Sequence, residues 1–240
     1  MSVESAKGRV WEDKHANLNA LLKACGTYHF GPNPASRYDE MRVSKAFYGS
    51  EKVMDRLPLL DTDVVLDMGS GCGFIAGYIA PKVQRLYCAD LNSQFLDLCR
   101  KEVEQFAHVS CHLISFADFS SLKGCGINKV YSTAVWIHFN FFDMVLNLRA
   151  LNKILPVGGR IYFDYADPDG LDESNDMRIF NMHLKDYAEA RETIALRVQY
   201  NSEEAVRSAA QLSGFVVDEV KKISDEDYGA VLTKRANWVE

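Results

Sequence analysis

From about Asp61 onward, short apolar runs alternate with stretches in which apolar residues recur every three to four positions. That alternation marks strand, helix, strand in a parallel sheet covered by helices on both faces. Seven strands are expected, at Val64-Val65-Leu66, Arg85 to Cys88, Val109 to Ile114, Lys129 to Ser132, Arg160 to Asp164, Val216 to Val220 and Ala230 to Thr233. After Asn92 and Ser93, which suit the N-cap, Phe95, Leu98, Cys99, Val103 and Phe106 share one face of a helix while Arg100, Lys101 and Glu104 take the other. A second helix from Phe141 turns Phe142, Val145, Leu146 and Leu155 inward and stops at Pro156 and Gly158-Gly159. A third runs from Asn201-Ser202 to Gly214, a residue suited to a left-handed C-terminal cap. There is no internal repeat and no low-complexity tract.

The first 60 residues have a different texture. Residues 17–24 read as a short helix, 26–34 as a turn-rich aromatic segment and 38–59 as helical again. The expected organisation is a helical cap over residues 1–59 and an α/β domain over 60–240, with an insertion at about 165–200. A linker at Gly31-Pro32-Asn33-Pro34 is the alternative for the cap.

Composition narrows the class. Of 240 residues, 48% are hydrophobic and 25% charged, enough apolar material for a large core without bridges or metals. The net charge of -6 supplies no general field for a phosphate backbone, so nucleic acid is not expected as a partner. The six cysteines show neither a CxxC pair nor a zinc-like Cys/His spacing, and read as reduced packing residues with no metal. The sequence starts without a basic stretch followed by an apolar run and contains no run of about 18 apolar residues, so a cytoplasmic protein with no membrane partner is expected.

The chemistry concentrates at Val64-Val65-Leu66-Asp67-Met68-Gly69-Ser70-Gly71-Cys72-Gly73-Phe74, an apolar strand running into glycines at alternate positions and then a helix. Glycines let a backbone approach a ligand closely, and the helix start offers unpaired N–H groups, so a nucleotide-like cofactor is the natural occupant. A dinucleotide fingerprint would want glycine where Phe74 stands, which counts against NAD. At the end of the second strand Asp90 can accept hydrogen bonds from both hydroxyls of a ribose.

Together these segments resemble the class I S-adenosylmethionine (SAM)-dependent methyltransferases, whose first motif is similar to VLDMGSGCG and whose acid at the second strand's end is matched by Asp90. The likeness continues through Leu155-Pro156-Val157-Gly158-Gly159-Arg160 and into Tyr200 to Phe215, covering roughly residues 60–236. It implies a Rossmann-like, doubly wound, seven-stranded, mostly parallel sheet with an antiparallel last strand, and SAM as cofactor. Asp67 would order the glycine loop and the methionine amino group, its alternative being a turn-capping carboxylate. Gly69, Gly71 and Gly73 would line the cofactor, with Leu91 beside Asp90. Along Phe116-Ala117-Asp118, either Phe116 or Asp118 takes the position that faces adenine in the family. Thr133, at the tip of the fourth strand, completes the cofactor set.

The same resemblance points the fourth strand's tip, Ser132 to Phe139, at the reacting methyl group. His138 would then accept a proton from a substrate hydroxyl, the alternative being a packed core histidine. Trp136 either walls the pocket or fills the core. Among the aromatics Tyr28, His29, Phe30, Tyr38 and Tyr48, Tyr38 is expected to reach the acceptor, and a closed mini-core is the alternative. Asp164, Asp167, Asp169, Asp172, Glu173 and Asp176 follow with no Lys or Arg before Arg178. They read either as a solvated loop or as an attractor for an amine or a cation, with Asp164 the member expected to face the pocket.

Displacement at an activated sulfonium asks the protein for alignment, water exclusion and, for hydroxyls, a base, which suits a chain with no nucleophile motif. No Asn/Asp-Pro-Pro-Tyr/Phe motif follows the fourth strand and no Pro-Cys nucleophile is present, so a small-molecule hydroxyl or amine, of a sugar or secondary metabolite, is the expected acceptor. The alternatives are an aminopropyltransferase-like enzyme and a non-catalytic SAM-binding module. Nothing in the sequence fixes the oligomeric state.

Overall fold

A computed structural model of the chain describes residues 49–170, 198–223 and 227–238, together with Ser44 and Leu184. Most of the expected cap, including its aromatic turn, and the insertion after Gly170 lie outside the described residues; residues 49–56 are helical, with Val53 buried.

The described strands are β1 (Val64–Met68), β2 (Arg85–Asp90), β3 (Val109–Leu113), β4 (Lys129–Ser132), β5 (Arg160–Ala166), β6 (Phe215–Lys222) and β7 (Asp227–Lys234). They form one seven-stranded sheet in the order β3-β2-β1-β4-β5-β7-β6. The pairs β1/β2, β2/β3 and β4/β5 are parallel, and β7 runs antiparallel to both β5 and β6. This is the doubly wound, mostly parallel sheet with an antiparallel last strand that the resemblance implies. Interleaved with it are helices α1 (Phe74–Ile79), α2 (Ser93–Glu102), α3 (Phe141–Asn152) and α4 (Glu203–Gln211). The chain divides after Phe116 into two compact units.

In the first unit, β1 and β2 are apolar at almost every position, as strands covered on two sides must be: Val65, Leu66, Leu86, Cys88 and Ala89 have no exposed surface. Asn92 caps α2, its Oδ1 accepting the N–H of Phe95 at 3.1 Å. The buried stripe of α2 is centred on Leu96, Cys99 and Val103, while Phe95, Leu98 and Phe106 are only half-buried. Burying a side chain such as Leu96 contributes about 1.5–3 kcal/mol.

In the second unit, α3 starts on a reciprocal cap. Asn140 Oδ1 accepts from the N–H of Asp143, and Asp143 Oδ2 accepts from that of Asn140, both at 3.1 Å. Caps of this kind contribute about 1 kcal/mol. The cap fixes the phase of the helix, so Met144, Val145, Leu148 and Leu151 form its inner face. Phe142, expected inward, is 75% exposed. It precedes Met144 by two positions, about 200° around the helix, on the outer side. The helix also ends at Asn152, before Leu155. There Lys234 of β7, itself buried, donates through Nζ to the carbonyls of Asn152 at 2.6 Å and Leu155 at 2.7 Å, a cation on the negative end of the helix dipole. α4 is capped by Ser202, whose Oγ accepts the N–H of Ala205 at 3.3 Å.

Candidate cofactor and acceptor sites

The loop after β1 is made of left-handed turns: Gly69, Gly71 and Gly73 have φ of 75°, 52° and 81°. Ala89 of β2 pins its start, its carbonyl accepting from the N–H of Gly69 at 2.7 Å and of Ser70 at 3.1 Å. The last two glycines answer different demands. A Cβ on Gly73 would lie 2.7 Å from Cys99 Sγ and 3.0 Å from Cys99 Cα, so this glycine lets α2 pack on the loop. A Cβ on Gly71 would meet nothing within 4 Å, so space opens above the loop there.

Asp90 closes the loop from the tip of β2. Its Oδ2 accepts the N–H of Gly71 at 2.8 Å and its Oδ1 that of Asn92 at 2.9 Å. Burial pushes this carboxyl up to about 6, against the downward pull of hydrogen bonds from the N–H groups of Gly71, Asn92 and Leu91. A carboxylate carries about four lone-pair sites, so hydroxyl donors fit alongside the backbone ones. Leu91 is half-buried beside it, and Asp67 is buried on β1 in register with Cys88. An open glycine backbone next to a partly used carboxylate suits the ribose of SAM. When bound, SAM supplies a methyl group activated by its sulfonium; Asp90, Leu91 and the backbone at Gly69 and Gly71 are the groups that would hold it.

Of the two residues open for the adenine-facing position, Phe116 is buried and Asp118 is exposed. Asp118 Oδ1 accepts the N–H of Ser120 at 2.9 Å, and its hydrogen bonds to Ser120 hold its carboxyl below the usual range. Asp118 thus serves as a local turn cap. Ala117 between them is left-handed at φ 54°.

The tip of β4 carries a second left-handed residue, Ala134, at φ 56°. Its N–H donates to Asp164 Oδ1 at 2.6 Å, and Asp164 is buried in β5, two residues before its end. Expected to face a pocket, Asp164 instead holds up the turn beside it. Thr133 is half-buried at the start of that turn, and His138 is half-buried at the end of the 3-10 turn Trp136–His138. Trp136 fills the core: it has no exposed surface and stacks on Phe163, with ring centroids 4.0 Å apart and planes at 11°.

The chain returning at residues 198–201 clamps this turn. Gln199 N donates to Ile137 O at 2.6 Å, Asn201 N to Ala166 O at 2.9 Å, and Asn201 Nδ2 to Phe139 O at 2.8 Å. In sequence Asn201 marks only a helix start, because the clamp depends on contacts with residues some 60 positions earlier, Ile137 and Phe139.

Asp167 is also buried and accepts the N–H of Asp169 at 2.9 Å and that of Glu203 at the start of α4. Burial holds its carboxyl above the ordinary value. Two of the six clustered acids are therefore internal acceptors and do not form a solvated loop; Asp172, Glu173 and Asp176, like Tyr28, His29, Phe30, Tyr38 and Tyr48, lie outside the described residues. No described helix is long and apolar enough to cross a membrane.

The fold is that of the class I, SAM-dependent methyltransferases. Residues 66–163 match the sequence profile of a family described as a methyltransferase domain, and the chain carries that domain. No curated protein matches the chain by sequence. In shape it is similar to a chain of the complex between the Haloferax volcanii Trm112 methyltransferase activator and a methyltransferase, with TM-score 0.66 and 17% identity over 86% of this chain and 96% of that one. It is also similar to a SAM-dependent methyltransferase from Aquifex aeolicus, with TM-score 0.61 and 13% identity over 83% of this chain and 97% of that one. A third likeness is to geranyl diphosphate C-methyltransferase from Streptomyces coelicolor A3(2), with TM-score 0.59 and 13% identity over 86% of this chain and 87% of that one. At these identities the likenesses carry the fold alone.

Proposed function

We propose that the chain methylates a hydroxyl or amine of a small molecule, with His138 as the base. The observation that carries this reading is the clamped turn at the tip of β4. A half-buried imidazole stands on a backbone held from one side by Asp164, through Ala134, and from the other by Gln199 and Asn201. A base held on a fixed backbone meets the demand of proton removal, which is alignment before strength.

A small acceptor is favoured by the acidic net charge and by the missing Asn/Asp-Pro-Pro-Tyr/Phe motif after β4. Proteins of similar fold include geranyl diphosphate C-methyltransferase and magnesium protoporphyrin IX methyltransferase, whose acceptors are small molecules. Tyr38 keeps its proposed contact with the acceptor, and Tyr38→Phe tests it. The aminopropyltransferase-like reading, with the acidic cluster holding an amine, loses support, because Asp164 and Asp167 are already engaged by backbone donors.

The test is release of S-adenosylhomocysteine from SAM with a panel of phenols, sugars and amines. On an accepted substrate, His138→Ala should lower kcat about 10²–10⁴-fold while leaving S-adenosylhomocysteine affinity unchanged. Undiminished turnover in that variant would remove His138 as the base.

A further inference from the structure

Beneath the glycine loop lie three cysteines that the methyl-transfer reading does not use. Cys88 on β2 is in parallel register with Cys111 on β3, and Cys99 projects from the buried face of α2. Their sulfurs all lie within 4.8 Å of one another, with Cys99 and Cys111 at 3.6 Å. All three are free thiols; Cys88 and Cys99 are buried, while Cys111 is half-buried on a strand that ends the sheet. Cys99 Sγ also fills the notch that Gly73 leaves in the cofactor loop, 2.7 Å from where a Cβ would stand.

We propose that Cys111 is a peroxide-reactive thiol which Cys99 resolves as a disulfide, and that this disulfide weakens cofactor binding by drawing the Cys99 sulfur out from under Gly73. The accessible sulfur is also the activated one: hydrogen bonds from Cys88 and Cys99, and then the charge of Arg100, hold the Cys111 thiol well below its ordinary range. A partly accessible, low-pKa thiol next to a second thiol is the arrangement that oxidation selects.

The balance is that of a two-electron oxidation. The Cys111 thiolate attacks hydrogen peroxide; an S–O bond forms, the O–O bond breaks, and the departing hydroxide takes a proton to leave as water. Cys99 sulfur then attacks the sulfenic acid, forming the S–S bond and breaking S–O, and its thiol proton leaves with the hydroxyl as a second water. Before oxidation Cys99 is held above the ordinary thiol range, mainly by its hydrogen bond to Cys111. The first step removes that cause, so the resolving thiol is released to react once a sulfenic acid stands beside it.

The disulfide rests on the thiol geometry alone; its effect on binding rests on the glycine loop being the cofactor site. The experiment treats the full-length protein with hydrogen peroxide and reads three quantities. Two free thiols should be lost under denaturing conditions. Peptide mapping should link Cys99 to Cys111. The Kd for S-adenosylhomocysteine should rise about tenfold, within the usual range for coupled sites, and return with dithiothreitol.

Cys111→Ser should bind S-adenosylhomocysteine like wild type and show no peroxide response. Cys99→Ser should carry Cys111 on to the sulfinic acid. An unchanged thiol count, or a link from Cys111 to Cys88 with Cys99 free, overturns the assignment. A Cys99–Cys111 link with unchanged affinity overturns the coupling, provided that untreated Asp90→Ala binds less tightly than wild type. If Asp90→Ala binds as wild type does, it is the cofactor-site reading that has failed.

Discussion

The two halves of the chain use the same device for different ends. After β1, a turn with positive φ is pinned by a carboxylate at the tip of the next strand, Asp90 accepting from the N–H of Gly71 at 2.8 Å. After β4, Ala134 is pinned by Asp164, two residues before the end of β5, at 2.6 Å. The first turn is built of glycines, to which a left-handed backbone costs nothing; the second places an alanine there, at about 1–2 kcal/mol. Above Gly71 a side chain would meet nothing, and Asp90 keeps some exposure, so that site is open to a ligand. Asp164 is buried, and its bond to Ala134 offsets strain. A carboxylate near the end of a strand thus stands beside open space in one half and serves as a brace in the other.

The largest effect is expected at Gly73. Gly73→Ala combines a left-handed alanine with a Cβ 2.7 Å from Cys99 Sγ, and should cost about 2–5 kcal/mol of stability in urea unfolding. Gly71→Ala meets open space and should cost only the left-handed term, about 1–2 kcal/mol, with weakened S-adenosylhomocysteine binding as its main signature. Equal stability losses in the two would erase the distinction between a packing glycine and a ligand-facing one.

Next comes the brace. Asp164→Ala leaves the Ala134 N–H without its acceptor and should cost about 1.5–3 kcal/mol, the range for hydrogen bonds to charged groups, with cofactor affinity unchanged. A variant of wild-type stability that bound S-adenosylhomocysteine poorly would make Asp164 a binding group after all.

How much of this contrast was legible in the sequence follows from how local its causes are. Glycine at 69, 71 and 73, after an apolar strand and before a helix, is a local signal, as is β4, where Lys129 to Ser132 is both the expected run and the observed strand. Ala134 carries no such mark, because nothing in its identity announces a positive φ; the cause is a carboxylate 30 residues away. The thiol cluster was illegible for the same reason. Cys88, Cys99 and Cys111 form no local motif, and only the parallel register of β2 and β3 joins them. One signal was available: Cys99 on the inner face of its helix, between two strands that each carry a cysteine. Phe142 failed through phase, since aromatic character predicted burial while the Asn140 cap turned it outward.

A smaller effect is expected from pH at Asp90, whose carboxyl is raised to about 6 by burial. Below that pH the group is protonated and loses acceptor capacity, so S-adenosylhomocysteine affinity should fall as pH drops through 6, by at most about tenfold per unit. Its contribution to stability in the cofactor-free protein runs the other way. Between the unfolded value of 3.8 and about 6 the folded state binds the proton that the unfolded chain has released, so this contribution is full below that window and lost as pH rises through it. Calorimetry of wild type against Asp90→Asn over this range isolates both trends, and parallel trends would contradict the assignment of one open carboxylate to both.

The smallest change addresses the alanine directly. Ala134→Gly removes the left-handed penalty of about 1–2 kcal/mol but adds about 0.5–1 kcal/mol of unfolded-state entropy, leaving a gain of up to about 1.5 kcal/mol. If the Asp164 bond exists to offset that strain, Asp164→Ala should cost less in the Ala134→Gly background than in wild type, and the two substitutions should show a coupling energy in a double-mutant cycle. Strict additivity would mean that the bond and the strained turn are independent, and the second half of the chain would then have no counterpart to the glycines of the first.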